Sequence, residues 1–252
     1  MVCPTGLLMT RGSRPPGASG EEEAARWVRG MFGAVAARYD LLNHLLSLNI
    51  DRSWRRSAVR RLRPELARPG VRVLDLCCGT GDLLFALESE CHAAVLGCDF
   101  SHPMLVLARR KAARRNVPAH FMEADALRLP LPDSSLDLIT TAFGFRNLAN
   151  YRHGLTEMAR VLRPGGVAAI LEFSQPPHRL VSALYSFYSR RVLPAIGGAV
   201  SGSREAYVYL PESVRRFPGA EELAGDMERA GFQQVRFTRM TAGIVALHIG
   251  TR

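Results

Sequence analysis

Lysine is almost missing from this chain: Lys111 is the only one among 33 basic residues, and the rest are arginine. Long apolar runs are missing too. No stretch approaches the roughly 18 to 20 residues that span a bilayer. The opening MVCPTGLLMTRGSRPPGASG has no apolar block of signal-peptide length. Cysteine is scarce and poorly placed for structural chemistry. Cys3, Cys77, Cys78, Cys91 and Cys98 are odd in number, and no C-x-x-C pair occurs. That argues against a disulfide framework or a zinc site and for reduced thiols in a cytoplasmic protein. No metal ligand set is expected. Internal repeats are absent, as is low-complexity sequence beyond the first twenty residues.

What is present is a soluble globular composition, 47% apolar and 22% charged over 252 residues. The formal charge of +10 admits nucleic acid, anionic lipid or an acidic substrate as partner. The arginines are scattered, with neither a basic stripe nor an added binding module, so nucleic acid is disfavoured.

Residues 1–22 read as a flexible segment, rich in Pro, Gly and Ser up to Gly20. A helical region at 23–66 follows, with apolar residues at three-to-four spacing through Trp27, Met31, Val35, Leu41 and Leu45. Pro64, Pro69 and Gly70 end it. The period then changes. VRVLDL, AAVLGCD, AHFMEAD, LDLITTAF and VAAILEF read as strands with helical patterns between them, and RPGG at 163–166 reads as a helix stop. Alternation of this kind implies an α/β fold with a mostly parallel sheet covered on both faces. A core at 71–175 is followed by an aromatic helical insertion at 176–218. A closing helix and two strands, expected to pair like a hairpin, fill 219–252. The whole of 23–252 reads as one domain.

In open parallel sheets ligands bind beyond the carboxyl ends of the strands. The first strand runs into DLCCGTGD, where Gly79 and Gly81 permit a sharp turn and close approach of a ligand. A dinucleotide fingerprint needs a third glycine at 84, where Leu84 stands, which disfavours a nicotinamide-dependent oxidoreductase. The second strand ends in Asp99, placed to accept hydrogen bonds from ribose hydroxyls, with Ser101 available to cap the following helix. The third ends in Asp125, able to accept from an exocyclic amine. Glycine loop, ribose acid and adenine acid form the layout of class I S-adenosylmethionine-dependent methyltransferases, a Rossmann-like fold.

YDLLNHLLSLNIDRSWRR, VLDLCCGTGD, FGFRN, RVLRPGGVAAILEFSQP, YVYLPESV and TAGIVALHIG together resemble the ubiquinone/menaquinone biosynthesis C-methyltransferase family over residues 25–252. The resemblance implies a seven-stranded sheet with an N-terminal helical cap and S-adenosyl-L-methionine as cofactor, held by Thr80, Asp99, Asp125 and Ala126. The family often has serine where Ala142 stands and histidine where Asp51 stands. LCCGT and RRFPGAEELA are closer to the menaquinone-specific members, which makes a prenylated hydroquinone, demethylmenaquinol, the expected acceptor. Methylation of 2-polyprenyl-6-methoxy-1,4-benzoquinol in the ubiquinone pathway, or both reactions, is the alternative; an RNA or protein methyltransferase or a silent cofactor-binding scaffold is more remote.

The segment TTAFGFRN puts two aromatics and a fixed cation just past a strand end. A ring carbon is a good nucleophile only when the neighbouring hydroxyl loses its proton, and a cation beside the oxygen stabilises the phenolate. Arg146 suits that role and is a poor literal base. Phe143 and Phe145 are expected to flank the ring, and Asn147 to orient the loop or the second oxygen. Tyr39 and Asn43, one helical turn apart, are expected substrate contacts under the cap. Leu184, Tyr185, Phe187, Tyr188 and Val192 are expected to roof the acceptor. Arg179, Arg190 and Arg191 are expected to touch anionic headgroups, giving weak peripheral contact at the inner face of the membrane. A homodimer is left open.

Overall fold

The computed structural model describes residues 11–91, 93–188, 191 and 204–252. Residues 1–10 of the lead-in, including Cys3, and also Arg190 and Val192, lie outside the described residues. Seven strands form one sheet: β1 Val73–Leu76, β2 Val95–Asp99, β3 His120–Glu123, β4 Leu136–Ala142, β5 Leu162–Phe173, β6 Gln233–Met240 and β7 Val245–Thr251. Their order across the sheet is β3-β2-β1-β4-β5-β7-β6. β1 to β5 are mutually parallel, and β7 runs antiparallel to both β5 and β6.

Among the described residues the helices are α1 Glu21–Leu46, α2 Ile50–Arg61, α3 Arg63–Leu66, α4 Asp82–Glu88, α5 His102–Arg115, α6 Tyr151–Val161, α7 Arg179–Phe187, α8 Arg204–Arg216 and α9 Ala220–Arg229. Alternate residues of a strand serve opposite faces. Val73 and Leu138 join Trp54, Val59 and Leu84 in one core; Leu74 and Ile139 join Leu155, Met158 and Leu223 in the other. Every residue of β1 is buried, as a central parallel strand covered on both faces requires.

Chain direction across the sheet reverses between β1 and β4, and that switch point opens a crevice at their carboxyl ends. α1 closes the crevice from above. Three glutamates occupy its first turn, where the helix dipole favours negative charge. It buries Ala24, Val28, Val35 and Leu42 and packs against α2, α5 and α8. The left-handed residues Leu48 and Asn49 then turn the chain into α2.

Two details depart from the sequence reading. RPGG does stop α6 at Val161, but it lies inside β5, because Leu162 already pairs with Leu136; Gly165 takes φ +77 in the resulting irregularity. The lead-in is also not free along its described length. Ser13 N–H donates to the Leu148 carbonyl (2.7 Å), and the Arg11 carbonyl accepts from Tyr151 N–H (2.8 Å). Gly12 passes so close to the Ala149 carbonyl that no side chain would fit. A glycine and small polar residues, which read as flexible, are here the residues that let the strap lie flat on the loop after β4.

Candidate active site

Two cavities meet beneath α1. The first lies over the carboxyl ends of β1, β2 and β4. Gly79 (φ +55) and Gly81 (φ +90) hold the turn after β1, and a Cβ on Gly81 would stand 2.9 Å from the Phe85 ring. Asp99, at the end of β2, is buried. One of its oxygens accepts from Gly79 N–H (2.9 Å) and the other from Ser101 N–H (2.8 Å). A carboxylate has lone pairs left for two further donors. Burial pushes its carboxyl up against those amide bonds. Ser101 occupies the N-cap position of α5 without a side-chain cap bond. Asp125 and Ala126 line the far wall, with Asp125 Oδ1 accepting from Leu127 N–H (2.9 Å). Ala142 lines the same cavity.

Asn147 also faces this first cavity, away from the side expected for it. Its Oδ1 accepts from the Tyr209 hydroxyl (3.2 Å), and its buried Nδ2 has no partner. Tyr209 in turn exchanges a hydrogen bond with Ser13 Oγ (2.8 Å), so the N-terminal strap reaches the site through α8. Asp75, at the centre of β1, is a site residue that sequence reading passed over. It lines the cavity with one oxygen unpartnered, and burial drives its carboxyl up to about 7.

The second cavity, about 440 Å³, is mostly apolar and is bounded by α1, α2, α7 and α8. Arg146 is on its wall. Its Nη1 donates to Glu172 Oε1 (3.0 Å) and to the Phe143 carbonyl; its backbone N–H reaches Glu172 Oε2 (3.1 Å). Its buried Nε–H has no partner. Burial alone would lower the guanidinium's pKa; Glu172 outweighs this and raises it, so Arg146 stays charged. Tyr39, hydrogen-bonded to Asn43, lines both cavities, as do Arg55 and Phe143; Asn43 lines the second alone. Burial raises the Tyr39 phenol's pKa, and Arg146 draws it back in part.

Two expectations about aromatic placement need correction. Phe145 is 1% exposed and packs on Tyr151 and Phe217 in the core, because the 3-10 turn Phe145–Asn147 rotates it under the loop. Phe143, at φ +59, turns its ring the other way, onto Trp54 and Phe173 at the cavity wall. Leu184, Tyr185 and Tyr188 do line the second cavity, but Phe187 points outward at 64% exposure.

A chain of charges joins the cap to the glycine loop. Thr80 Oγ1 donates to Asp40 of α1 and accepts from Lys111 Nζ of α5 (2.9 Å), so its hydrogen is already used. Lys111 also holds Asp40 and Asp82 (3.0 Å to the latter). His44 Nε2 approaches Asp82 (3.6 Å), and His44 Nδ1 meets Asp51 (2.9 Å). Asp51 accepts from Ser47 (2.6 Å) and Arg55. Burial pushes Asp51 up, but Ser47 and Arg55 prevail and hold it low. His44, Asp51 and Asp82 bring three ligand atoms within 4.8 Å of one another, yet Arg55 and Lys111 already neutralise the two carboxylates. The signal that could have found this network was the solitary lysine.

Residues 19–252 match the model of the ubiE/COQ5 methyltransferase family. A demethylmenaquinone methyltransferase of Thermus thermophilus is 49% identical over 88% of this chain and 100% of its own length. One of Deinococcus radiodurans is 46% identical over 97% of this chain and 100% of its own. A ubiquinone/menaquinone biosynthesis C-methyltransferase of Geobacter sulfurreducens is 44% identical over 91% and 90%. Among solved structures, a SAM-dependent methyltransferase of Thermotoga maritima superposes with a TM-score of 0.63 at 18% identity, covering 88% of this chain and 98% of that one. The [4+2]-cyclase SpnF does so at 0.57 and 22%, covering 75% and 62%. At such identities these two likenesses speak for the fold alone.

Proposed function

The chain belongs to the ubiE/COQ5 methyltransferase family, and on that premise we propose that it transfers the methyl group of S-adenosylmethionine to a ring carbon of demethylmenaquinol, giving menaquinol. The observation that carries this reading is the junction of the two cavities. Tyr39, Arg55 and Phe143 line both, so a polar ligand over the strand ends and an apolar ring under the cap share one wall.

The first cavity suits the cofactor. The glycine turn leaves room for close approach, Asp99 retains acceptor capacity for ribose hydroxyls, and Asn147 Nδ2 is a buried donor awaiting a partner. Asp125 and Ala126 would border the adenine, with Gly79, Thr80 and Gly81 beneath the chain. When bound, S-adenosylmethionine supplies an electrophilic methyl on a positively charged sulfur. Thr80 contributes through its backbone and its place in the loop, because its hydroxyl is engaged by Asp40 and Lys111.

On the acceptor side, the Arg146 Nε–H is the donor that lacks a partner, and an acceptor oxygen would complete it. Arg146 then stabilises the phenolate whose electron density makes the ring carbon nucleophilic. Glu172 keeps the guanidinium in register. The hydroxyl proton passes to water, since Asp51, the carboxylate on this wall, is held too acidic to be a good base. Tyr39 and Asn43 border the ring at the shared wall. After transfer the proton on the methylated ring carbon passes to water, which restores aromaticity.

Weak contact with the membrane surface, at its inner face, is part of the same proposal, because the acceptor's prenyl tail is apolar. No described helix is long and apolar enough to cross a membrane. The test is incubation with labelled S-adenosylmethionine and two reduced acceptors, a demethylmenaquinol and a 2-polyprenyl-6-methoxy-1,4-benzoquinol, with mass analysis of the products. Label in the naphthoquinol product supports the reading; label in the benzoquinol alone moves the enzyme to the ubiquinone pathway.

A further inference from the structure

The exposed large hydrophobic side chains among the described residues all fall on two segments. Leu41, Leu45, Leu48 and Ile50 mark the end of α1 and the start of α2. Leu180, Leu184 and Phe187 form a stripe on α7. Leu180, Leu184 and Phe187 share one face of α7 by their four-then-three spacing, Leu41 and Leu45 lie one turn apart at the end of α1, and Leu48 and Ile50 follow in the turn and the start of α2. The Tyr188 hydroxyl donates to the Leu46 carbonyl (2.7 Å) and joins the two. Leu48, Ile50 and Leu184 are both exposed and part of the acceptor cavity wall, so the cavity opens between the two stripes.

The exposed charge beside the two stripes is one-sided, since Asp51, which follows Ile50, is buried against Arg55. The chain carries 23 acidic residues, yet neither 41–50 nor 174–191 contains one. Arg52, Arg179 and Arg191 stand exposed at the edges. A second copy packed face to face here would set arginine against arginine with no counter-charge. A bilayer offers acyl chains to the stripes and phosphates to the arginines.

We propose that the end of α1 and helix α7 form a membrane-docking face that inserts its two apolar stripes at the headgroup–acyl boundary. The acceptor cavity then opens directly onto the lipid. The tail's path into the site rests on the prenylated acceptor proposed above; the docking does not. Apolar insertion also changes the expected salt response. Arginine contacts alone would be screened away, whereas the stripes hold in salt.

The experiment is flotation of the full chain with vesicles of neutral phosphatidylcholine and with vesicles containing anionic phosphatidylglycerol. Binding to the neutral vesicles is expected, with an anionic increment that alone disappears near about 1 M salt. Leu180→Asp combined with Phe187→Asp should lower partitioning at least about 10-fold. Neither residue touches the cavity, so melting temperature and methyl transfer to a short-chain, water-soluble acceptor should be unchanged. Leu41→Asp with Leu45→Asp repeats the test on the other stripe. The proposal is overturned if the wild-type chain ignores neutral vesicles, or if both double variants bind like it. It is also overturned if sedimentation shows a dimer that the substitutions dissociate, which would make a second copy the occupant. If vesicle binding and its loss occur while no quinol is methylated, the docking face stands and the functional reading falls.

Discussion

The cofactor-side cavity is built on backbone, and the acceptor-side cavity on side chains of helices. Strand ends supply the first: Asp75, Asp99 and the turn through Gly79 sit where a parallel sheet must end, and amide groups hold Asp99 in place. The second has no such scaffold. α1, α2, α7 and α8 enclose it, and its charged groups are Arg146, paired with Glu172 behind it, and Arg55, paired with Asp51. The difference teaches where each function can be tuned. On the proposed function, changes to the first cavity should act on binding of a polar ligand, and changes to the second on ring reactivity and access.

The largest expected effect lies on the acceptor side. Arg146→Ala should lower kcat by about 10²–10³, the usual result of removing one preorganised oxyanion donor. Cofactor affinity should stay near wild type. Because Glu172 would be left buried without its counter-charge, stability should fall by about 3–5 kcal/mol, visible in a melting curve. Arg146→Lys keeps the charge and should recover part of the rate, since an ammonium lacks the planar fork. Wild-type turnover in both variants would reduce the pair to scaffold and erase the contrast between the cavities.

On the cofactor side, Asp99→Ala should weaken S-adenosylmethionine binding by roughly 1.5–3 kcal/mol, the range for hydrogen bonds to a charged group, while leaving the chemical step largely intact. Calorimetry with single-turnover rates separates the two. An Asp99 variant that binds normally but turns over slowly would reverse the assignment of roles.

Lys111 ties α1 to the glycine loop through Asp40, Thr80 and Asp82, so its loss should loosen the cap that covers both cavities. Lys111→Met should raise the apparent constants for both ligands by about 10-fold, as expected when a partly buried charge pair is broken. Lys111→Arg should not restore them, because the longer, planar group cannot take the ammonium's three donors into the same space. An unaltered enzyme would leave the network without a positioning role.

The last effect, read in stability and not in turnover, concerns Asp75. Its folded pKa, about 7, lies above the unfolded value, so the proton is held at a cost as pH rises. Wild-type and Asp75→Asn proteins should be equally stable below about pH 4. Between there and about pH 7 the variant should gain by at most about 1.4 kcal/mol per unit, then level off. Parallel stability curves across that range would show that Asp75 ionises freely.

The same contrast explains what could be read without the fold. That Gly79, Asp99 and Asp125 line one cavity was legible because the two-residue period locates strand ends, and the ends of neighbouring parallel strands share one edge. FGFRN was legible as an odd strand end, and the family resemblance gave Arg146 its meaning. Glu172 was hidden, since a glutamate in an apolar strand carries no sign of its partner on the neighbouring loop. Phe143 and Phe145 looked alike, and only the left-handed turn at Phe143 sends them to opposite sides. Lys111 and Asp40 sit on separate helices, and no local spacing links them. The strap at residues 11–14 looked like linker, because a segment that owes its order to a surface it lies on has no periodicity of its own.

The central claim is that a methyl donor in the first cavity meets an electron-rich ring in the second. The most direct measurement is the rate of label transfer from S-adenosylmethionine to demethylmenaquinol and to its oxidised quinone, under conditions that hold each redox state. A quinone has no hydroxyl to ionise, and its ring carbon stays electrophilic. Transfer to the quinol with none to the quinone is the predicted result; equal transfer to both would contradict the phenolate mechanism and the role assigned to Arg146.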